Sequence, residues 1–265
     1  MTTVPTLYVF PELLGVSEAL TDFILTQQNH ALEKPNKRFK IALSGGSLLH
    51  VLHTTLLHNP HVNWDKWDIW FVDERIVSQD DNDSNSGTAL RLLLNEVMKN
   101  GKRPNVYTIN YSMLKGDEID LQEIADQYES LLVRNFAGKD SVRLPQFDLI
   151  LLGCAPDGHV ASLFPGHTEL REKDAWIVPV ENAPCGPKQR ITFTLPVISH
   201  AKMVAFVVEG ATKAKVMQEI MERPDKGLPG SIINEKAAGR IVWFVDEEAV
   251  VDVVARRKRY AFTNE

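Results

Sequence analysis

Short apolar runs of strand length alternate with segments of helical length along most of this chain. That alternation sets the tightest limit on its fold. "TLYVF" (residues 6–10) precedes a periodic stretch from Val16 to Leu32, and "FKIAL" (39–43) precedes "LLHVLHTTLL" (48–57). "WDIWFV" (67–72) leads to a helix pattern over 87–98, and "VYTI" (106–109) to one over 121–136. "FDLILL" (147–152), "RITFTL" (190–195), "MVAFVV" (203–208) and "IVWFV" (241–245) complete the apolar runs, with a further helix pattern over 212–221. Strands that are apolar throughout need cover on both faces, which is the arrangement of a mostly parallel sheet with helices on both sides. No internal repeat, low-complexity tract or long Pro/Gly/Ser linker divides the chain, so the expectation is one α/β domain over residues 1–265.

The bulk numbers exclude several classes. With 265 residues, 44% of them hydrophobic, the chain supports a core without staples. A formal charge of −6 argues against nucleic acid as the main partner. Attraction for an anionic ligand must then come from a few local cations or clustered backbone N–H groups. Cys154 and Cys185 are too far apart to suggest a metal-ligand spacing or a disulfide framework. The N-terminal "MTTVPTLYVF" has no basic, apolar leader pattern, and no apolar run approaches the ~20 residues of a membrane span. A reducing compartment, most simply the cytoplasm, is expected.

In open α/β sheets ligands sit beyond the carboxyl ends of the strands, so the residues after each apolar run are the ones to inspect. After "FKIAL" comes Ser44-Gly45-Gly46-Ser47 and then a helix, a recipe for phosphate held by backbone N–H groups at a helix start; a plain structural turn reads the same way. After "WDIWFV" comes Asp73-Glu74-Arg75, either a solvated loop or a rim in which Arg75 recognises phosphate or carboxylate. "DDNDSNSG" (80–87) fails as a calcium loop, because Gly87 is one place late and Leu92 stands where the bidentate Glu belongs. It reads better as a loop ending in a helix cap at Ser84 or Asn85. After "MVAFVV", Glu209-Gly210-Ala211-Thr212-Lys213 puts a lysine into the first turn of a helix, against the dipole, which suits either an anion site or a solvent-facing side chain.

The stretch after "FDLILL" is the most informative: "GCAPDGHVASLFPG" (153–166) brings His159 to a strand end with Asp157 two residues before it. A carboxylate at that spacing can set the tautomer and basicity of an imidazole. His167 lies just past the same turn and is expected near the same cleft, whereas His50 and His53 share a helix face with no evident third metal ligand.

Taken together, "SGGS" (44–47), "DER" (73–75) with "DSN" (83–85), "DGHVASLFPG" (157–166), "RITFT" (190–194) and "GATKA" (210–214) resemble the 6-phosphogluconolactonase family, in the right order over roughly residues 40–245. "FVDERIV" and "LLGCAPDGH" are similar to its fungal branch. The resemblance implies a doubly wound, modified Rossmann-like α/β fold shared with glucosamine-6-phosphate deaminases. It further implies hydrolysis of 6-phospho-D-glucono-1,5-lactone, the second step of the oxidative pentose phosphate pathway, without cofactor or metal. On that basis His159 is the expected base, oriented by Asp157, with Arg75 on either the phosphate or the oxyanion. Ser44, Gly45, Gly46, Ser47, Asp73, Arg190 and Lys213 are the expected substrate contacts. A δ-lactone is an activated ester open to direct water attack, and the chain has no G-x-S-x-G nucleophile elbow. The partner implied is a small phosphosugar lactone, with the chain a monomer or weak homodimer.

One position departs from the family pattern. Ala155 stands where many members have glycine, and a positive φ there would cost an alanine about 1 kcal/mol or more. Two alternatives remain. An amino-sugar phosphate isomerase/deaminase would share the fold, but its strings resemble "DEY" and "FNEP" rather than "DER" and "SLFPG". A non-catalytic phosphosugar-binding paralogue, of the kind linked to tRNA handling, would draw on the basic run "RRKR" (256–259) and place a fraction in the nucleus. The plain reading of that run is the last turn of a terminal helix, where basic residues favour the dipole.

Overall fold

The apolar runs become strands whose alternate residues feed two separate cores. The computed structural model describes residues 5–35, 37–115, 118–137, 144–255 and 257–263. The first half runs β1 (Thr6–Phe10), α1 (Leu13–Leu32), β2 (Phe39–Leu43), α2 (Ser47–Leu56), β3 (Trp67–Phe71), β4 (Asp73–Arg75), α3 (Asn85–Ala89), a π-helical turn (Leu90–Leu94), α4 (Asn95–Lys99) and β5 (Asn105–Val106). The second runs α5 (Leu121–Phe136), β6 (Leu149–Leu152), β7 (Ile177–Val180), β8 (Arg190–Phe193), α6 (Leu195–His200), β9 (Met203–Val208), α7 (Ala214–Glu222), α8 (Pro229–Lys236), β10 (Ile241–Asp246) and β11 (Arg257–Lys258).

The main sheet is parallel throughout, in the order β11-β1-β10-β9-β6-β2-β3-β5. Ile41, Leu43, Ile69, Phe71, Leu149 and Leu151 pack on one face beneath α1, α2 and α4. Ala42, Trp70, Ile150, Leu152, Phe206 and Trp243 pack on the other beneath α5, α6, α7 and α8. The periodicity implies a mostly parallel sheet covered on both faces, and this is the doubly wound form of it that the resemblance implies. The chain leaves β2 toward β3 and β5, then returns to place β6 on the other side of β2. The order therefore reverses between β2 and β6, and a crevice opens there at the carboxyl ends.

A feature the periodicity did not separate is a second, antiparallel sheet, β4-β8-β7. "RITFTL" belongs to it rather than to the parallel sheet. Val72 joins the two sheets: its N–H donates to Leu43 O of β2 (2.9 Å) and its carbonyl accepts from Phe193 N of β8 (2.7 Å). The chain turns out of the parallel plane at that residue, so "WDIWFV" ends in a junction and Asp73–Arg75 become a strand. The basic run also differs from its plain reading. Arg257 and Lys258 form no helix; they pair in parallel with Leu7 and Tyr8 at the sheet edge, and Arg256 lies outside the described residues.

Where the short β5 stops, a tyrosine replaces it. The buried Tyr128 hydroxyl accepts from Phe71 N–H (3.0 Å) and donates to Phe71 C=O (3.1 Å), closing both edge groups at the end of β3. Tyr128→Phe would leave these backbone groups buried and unpaired. A loss of about 1–3 kcal/mol in denaturant unfolding is expected, and a change below a few tenths would show that another group satisfies this edge.

Candidate active site

Strand alternation decides what β4 presents. Asp73 and Arg75 point into the crevice, and Glu74, between them, points away into the protein. The buried Glu74 carboxylate is closely bound. Its Oε1 accepts from the N–H groups of Arg75 (2.9 Å) and Asn85 (2.7 Å), and its Oε2 from Ser86 N–H (2.8 Å) and the Tyr111 hydroxyl (3.0 Å). Burial raises its pKa, and the backbone hydrogen bonds oppose that shift. Glu74 thus ties the "DSN" loop to β4. Ser84 caps α3 by accepting from Gly87 N–H (3.0 Å), as the sequence suggested. Asn85 donates to Asp73 O (2.9 Å), and its Oδ1 lies so close to Gly45 that a Cβ there would sit 1.8 Å away. Only glycine fits at 45.

The crevice holds about 170 Å³ and is lined by the loop after β2, Asp73 and Arg75, Gly153, Cys154, Ala155, His159 and Ala161 after β6, and Glu209 and Lys213 after β9. Asp157 stands behind His159, outside the lining. Gly45 and Gly46 have N–H groups without an acceptor among the described residues, and they lead into the uncapped start of α2. Ser44 lines the crevice, but its N–H already donates to Leu151 O (3.0 Å), so that backbone group serves the sheet and not a ligand. Lys213 lies in a 3-10 turn just before α7 rather than within the helix, and it does line the crevice.

His159 is held at the β6 side. Its Nδ1 lies 2.7 Å from Asp157 Oδ1, which also accepts from His159 N–H (3.2 Å). A carboxylate only accepts, so Nδ1 carries the proton and Nε2 keeps its lone pair, on a ring that lines the crevice. The imidazole is 15% exposed and packs on Phe164 with ring centres 4.6 Å apart. Burial lowers its pKa, and the charge and hydrogen bond of Asp157 partly offset this. The turn is made by Gly158 at φ 88°, while Ala155 is not among the positive-φ residues, so alanine costs nothing at that position. The strained residue is Ala161 instead, at φ 54°, and it delivers Ser162 Oγ to Asp73 Oδ2 at 2.7 Å.

Not every expected residue reaches the crevice. Arg190 is 1% exposed and does not line it. Its Nε donates to Pro187 O (2.9 Å), Nη1 to Ser162 Oγ (3.4 Å) and Nη2 to Cys185 O, with the guanidinium 5.3 Å from the Phe164 ring. It braces the histidine loop from below. His167 packs on Phe164 outside the lining, and His50 and His53 acquire no third metal ligand among the described residues. Glu209 was passed over by sequence reasoning, although it follows β9 at the strand end where such groups belong. Three polar atoms of lining residues are buried without a hydrogen-bond partner: Asp73 Oδ1, Arg75 Nε and Glu209 Oε2. Arg75 Nε stands 3.8 Å from Asp73 Oδ2, while Nη1 donates to Asp83 O (2.8 Å). A polyhydroxylated anion is the kind of ligand that satisfies such a mixed set of acceptors and donors.

Two outcomes are expected. Glu74→Ala leaves several buried donors unpaired and should cost at least about 3 kcal/mol in chemical unfolding; an unchanged midpoint would remove Glu74 from its anchoring role. In an NMR titration the His159 imidazole should titrate below the ~6.5 of a free histidine, and lower still in Asp157→Asn. Because the folded value lies below the unfolded one, this group's share of stability is complete above the unfolded pKa and is lost as pH falls through both values. A midpoint above that of free histidine would contradict the burial account.

The relationships of the chain to known proteins are specific. The family profile described as "Glucosamine-6-phosphate isomerases/6-phosphogluconolactonase" matches residues 14–243. The "6-phosphogluconolactonase-like protein 2" of Saccharomyces cerevisiae is 47% identical, with 98% of each chain covered. The "Probable 6-phosphogluconolactonase" of Schizosaccharomyces pombe is 42% identical over 91% of this chain and 93% of its own. Among solved structures, "6-phosphogluconolactonase from Trypanosoma cruzi" superposes with a TM-score of 0.81 at 25% identity, covering 96% of this chain and 99% of that one. A profile that spans the crevice-forming strands, together with relatives this similar over nearly their whole length, makes this chain a member of the glucosamine-6-phosphate isomerase/6-phosphogluconolactonase family.

Proposed function

We propose that this chain hydrolyses 6-phospho-D-glucono-1,5-lactone to 6-phospho-D-gluconate by direct attack of water. The observation that carries this reading is the Asp157–His159 pair at 2.7 Å, which leaves the lone pair on Nε2 of a residue that lines the crevice, where it would serve as a neutral base. The phosphate would rest on the N–H groups of Gly45 and Gly46 at the start of α2, with Lys213 and Arg75 as counter-charges. The unpaired oxygens of Asp73 and Glu209 would accept hydrogen bonds from ring hydroxyls.

His159 Nε2 removes a proton from water as its oxygen bonds to C1, and Asp157 stabilises the imidazolium that forms. The tetrahedral oxyanion then collapses, the C1–ring oxygen bond breaks, and the imidazolium returns its proton to the departing ring oxygen. The products are the open-chain hydroxyl and the acid, which ionises at neutral pH. Lactones need no covalent nucleophile, and Cys154, the thiol in the crevice lining, fits none, since burial pushes it up to about 12. A cytoplasmic site of action fits a phosphorylated sugar substrate and a chain with no helix long and apolar enough to cross a membrane among the described residues.

A second reading, phosphosugar binding without turnover, is favoured by the name "6-phosphogluconolactonase-like" carried by the yeast relative. The assay that separates them generates lactone with glucose-6-phosphate dehydrogenase and follows 6-phosphogluconate with its own dehydrogenase, above the spontaneous rate. Wild type should accelerate hydrolysis, and folded His159→Ala should lose about 10²–10⁴-fold. Arg75→Ala and Lys213→Ala should mainly raise KM. A wild type no faster than background would leave the binding reading, and full activity in His159→Ala would remove the base.

A further inference from the structure

Cys185 stands beside the proposed base and takes no part in the proposed chemistry. Its Sγ, one imidazole nitrogen of His159 and one carboxylate oxygen of Asp157 lie within 4.8 Å of one another. The cysteine is free and exposed, so nothing seals this group from solvent. Its loop is nevertheless held, because Arg190 Nη2 donates to Cys185 O and contacts Sγ at 3.8 Å. The sequence offers no hint of this cluster: residues 157, 159 and 185 have no ligand spacing, and only the packing of Arg190 against Phe164 and the 185–187 turn brings them together.

Thiolate, imidazole and carboxylate together suit a borderline-soft ion of the zinc class better than magnesium or calcium. Ligand bonds of about 2.0–2.3 Å put the donor atoms of a tetrahedron roughly 3.3–3.6 Å apart. The group must therefore contract somewhat, and the 2.7 Å contact between His159 and Asp157 must open slightly. Exposed Cys185 and Asp157, whose side chain is 47% exposed, have room for both movements. Thiolate and carboxylate bring two negative charges toward a dication, and the Arg190 guanidinium brings one positive charge close to the sulfur.

We propose that Asp157, His159 and Cys185 form an open, three-ligand site for a zinc-class divalent cation, and that occupancy silences the crevice by taking up the imidazole. On binding, the thiol proton leaves to solvent as the sulfur–metal bond forms. The Nδ1 proton is lost to solvent and Nε2 takes one up, so that the Nδ1 lone pair goes to the metal and Nε2 no longer offers a base; no oxidation is involved. A fourth position is left for water. The inhibitory half of this proposal rests on the reading of His159 as the base; the binding half does not.

Cobalt(II), a spectroscopic substitute for zinc, tests the binding half on the intact chain. One equivalent should give the near-ultraviolet thiolate-to-cobalt charge-transfer band with the visible bands of a tetrahedral site, and zinc should abolish both. Cys185→Ser, a change at an exposed side chain, should fold normally, lack the charge-transfer band and keep the basal hydrolytic rate. Zinc should inhibit wild type reversibly, with chelator restoring the rate, and Cys185→Ser should be at least about tenfold less sensitive. No charge-transfer band in wild type, a band that persists in Cys185→Ser, or equal zinc inhibition of both proteins would overturn the proposal. A protein that binds cobalt through sulfur yet hydrolyses no lactone would refute the hydrolase reading and keep the metal site; an active protein without the band would do the reverse.

Discussion

The Glu74 carboxylate sits at the joint on which the crevice depends. Val72 hands the chain from the parallel sheet to the small antiparallel one, and the next three residues alternate across β4. Because Glu74 is fixed inward by backbone N–H groups from the 84–86 loop, Asp73 and Arg75 must face outward. The same loop brings Asn85 against Gly45, so the glycine turn after β2 and the charged strand after β3 are locked as one unit. Asp73 then receives Ser162 Oγ, which ties in the histidine loop after β6. A single buried carboxylate thus coordinates three strand ends. A buried acid is costly unless its acceptor capacity is filled, and here it is filled by donors that the site itself requires to be still.

Electrostatics in the crevice work against the overall charge of the chain. The protein carries −6, so long-range attraction does not gather an anion. Local groups must do so: Arg75, Lys213 and the glycine N–H groups at the start of α2. Asp73 and Glu209 in the same lining limit how much positive field accumulates, and this favours a ligand with one anionic end and several hydroxyls over a polyanion. His159 shares this lining, where burial disfavours its charged form and the charge of Asp157 favours it. In the proposed reaction, those opposed effects would hold the base neutral beforehand and cushion it afterwards.

Much of this was legible in the sequence because it follows from period and punctuation. Continuous apolar strands announced a mostly parallel sheet covered on both faces, the resemblance implied its doubly wound order, and the rule that ligands gather at carboxyl ends picked out residues 44–47, 73–75, 157–159 and 213. Arg190 was expected at the substrate only because the resemblance implied it; tertiary packing places it under the histidine loop, outside the crevice lining. The antiparallel β4-β8-β7 sheet was invisible for a related reason, since a strand of three residues, Asp73–Arg75, has no apolar pattern to read. Ala155 looked anomalous beside the family pattern, yet the left-handed residue is Ala161, six positions on. Cys185 could not be linked to Asp157 and His159 by any spacing rule, because that proximity is created by contacts across the fold.

The central claim is that a neutral His159, oriented by Asp157, activates water in this crevice. The pH dependence of kcat/KM for 6-phosphogluconolactone, corrected for spontaneous hydrolysis, tests it most directly. The account predicts a rate that rises as the imidazole deprotonates, with its midpoint below the ~6.5 of free histidine and shifted lower in Asp157→Asn. A rate that falls as the imidazole deprotonates, or a midpoint that ignores Asp157→Asn, would contradict it.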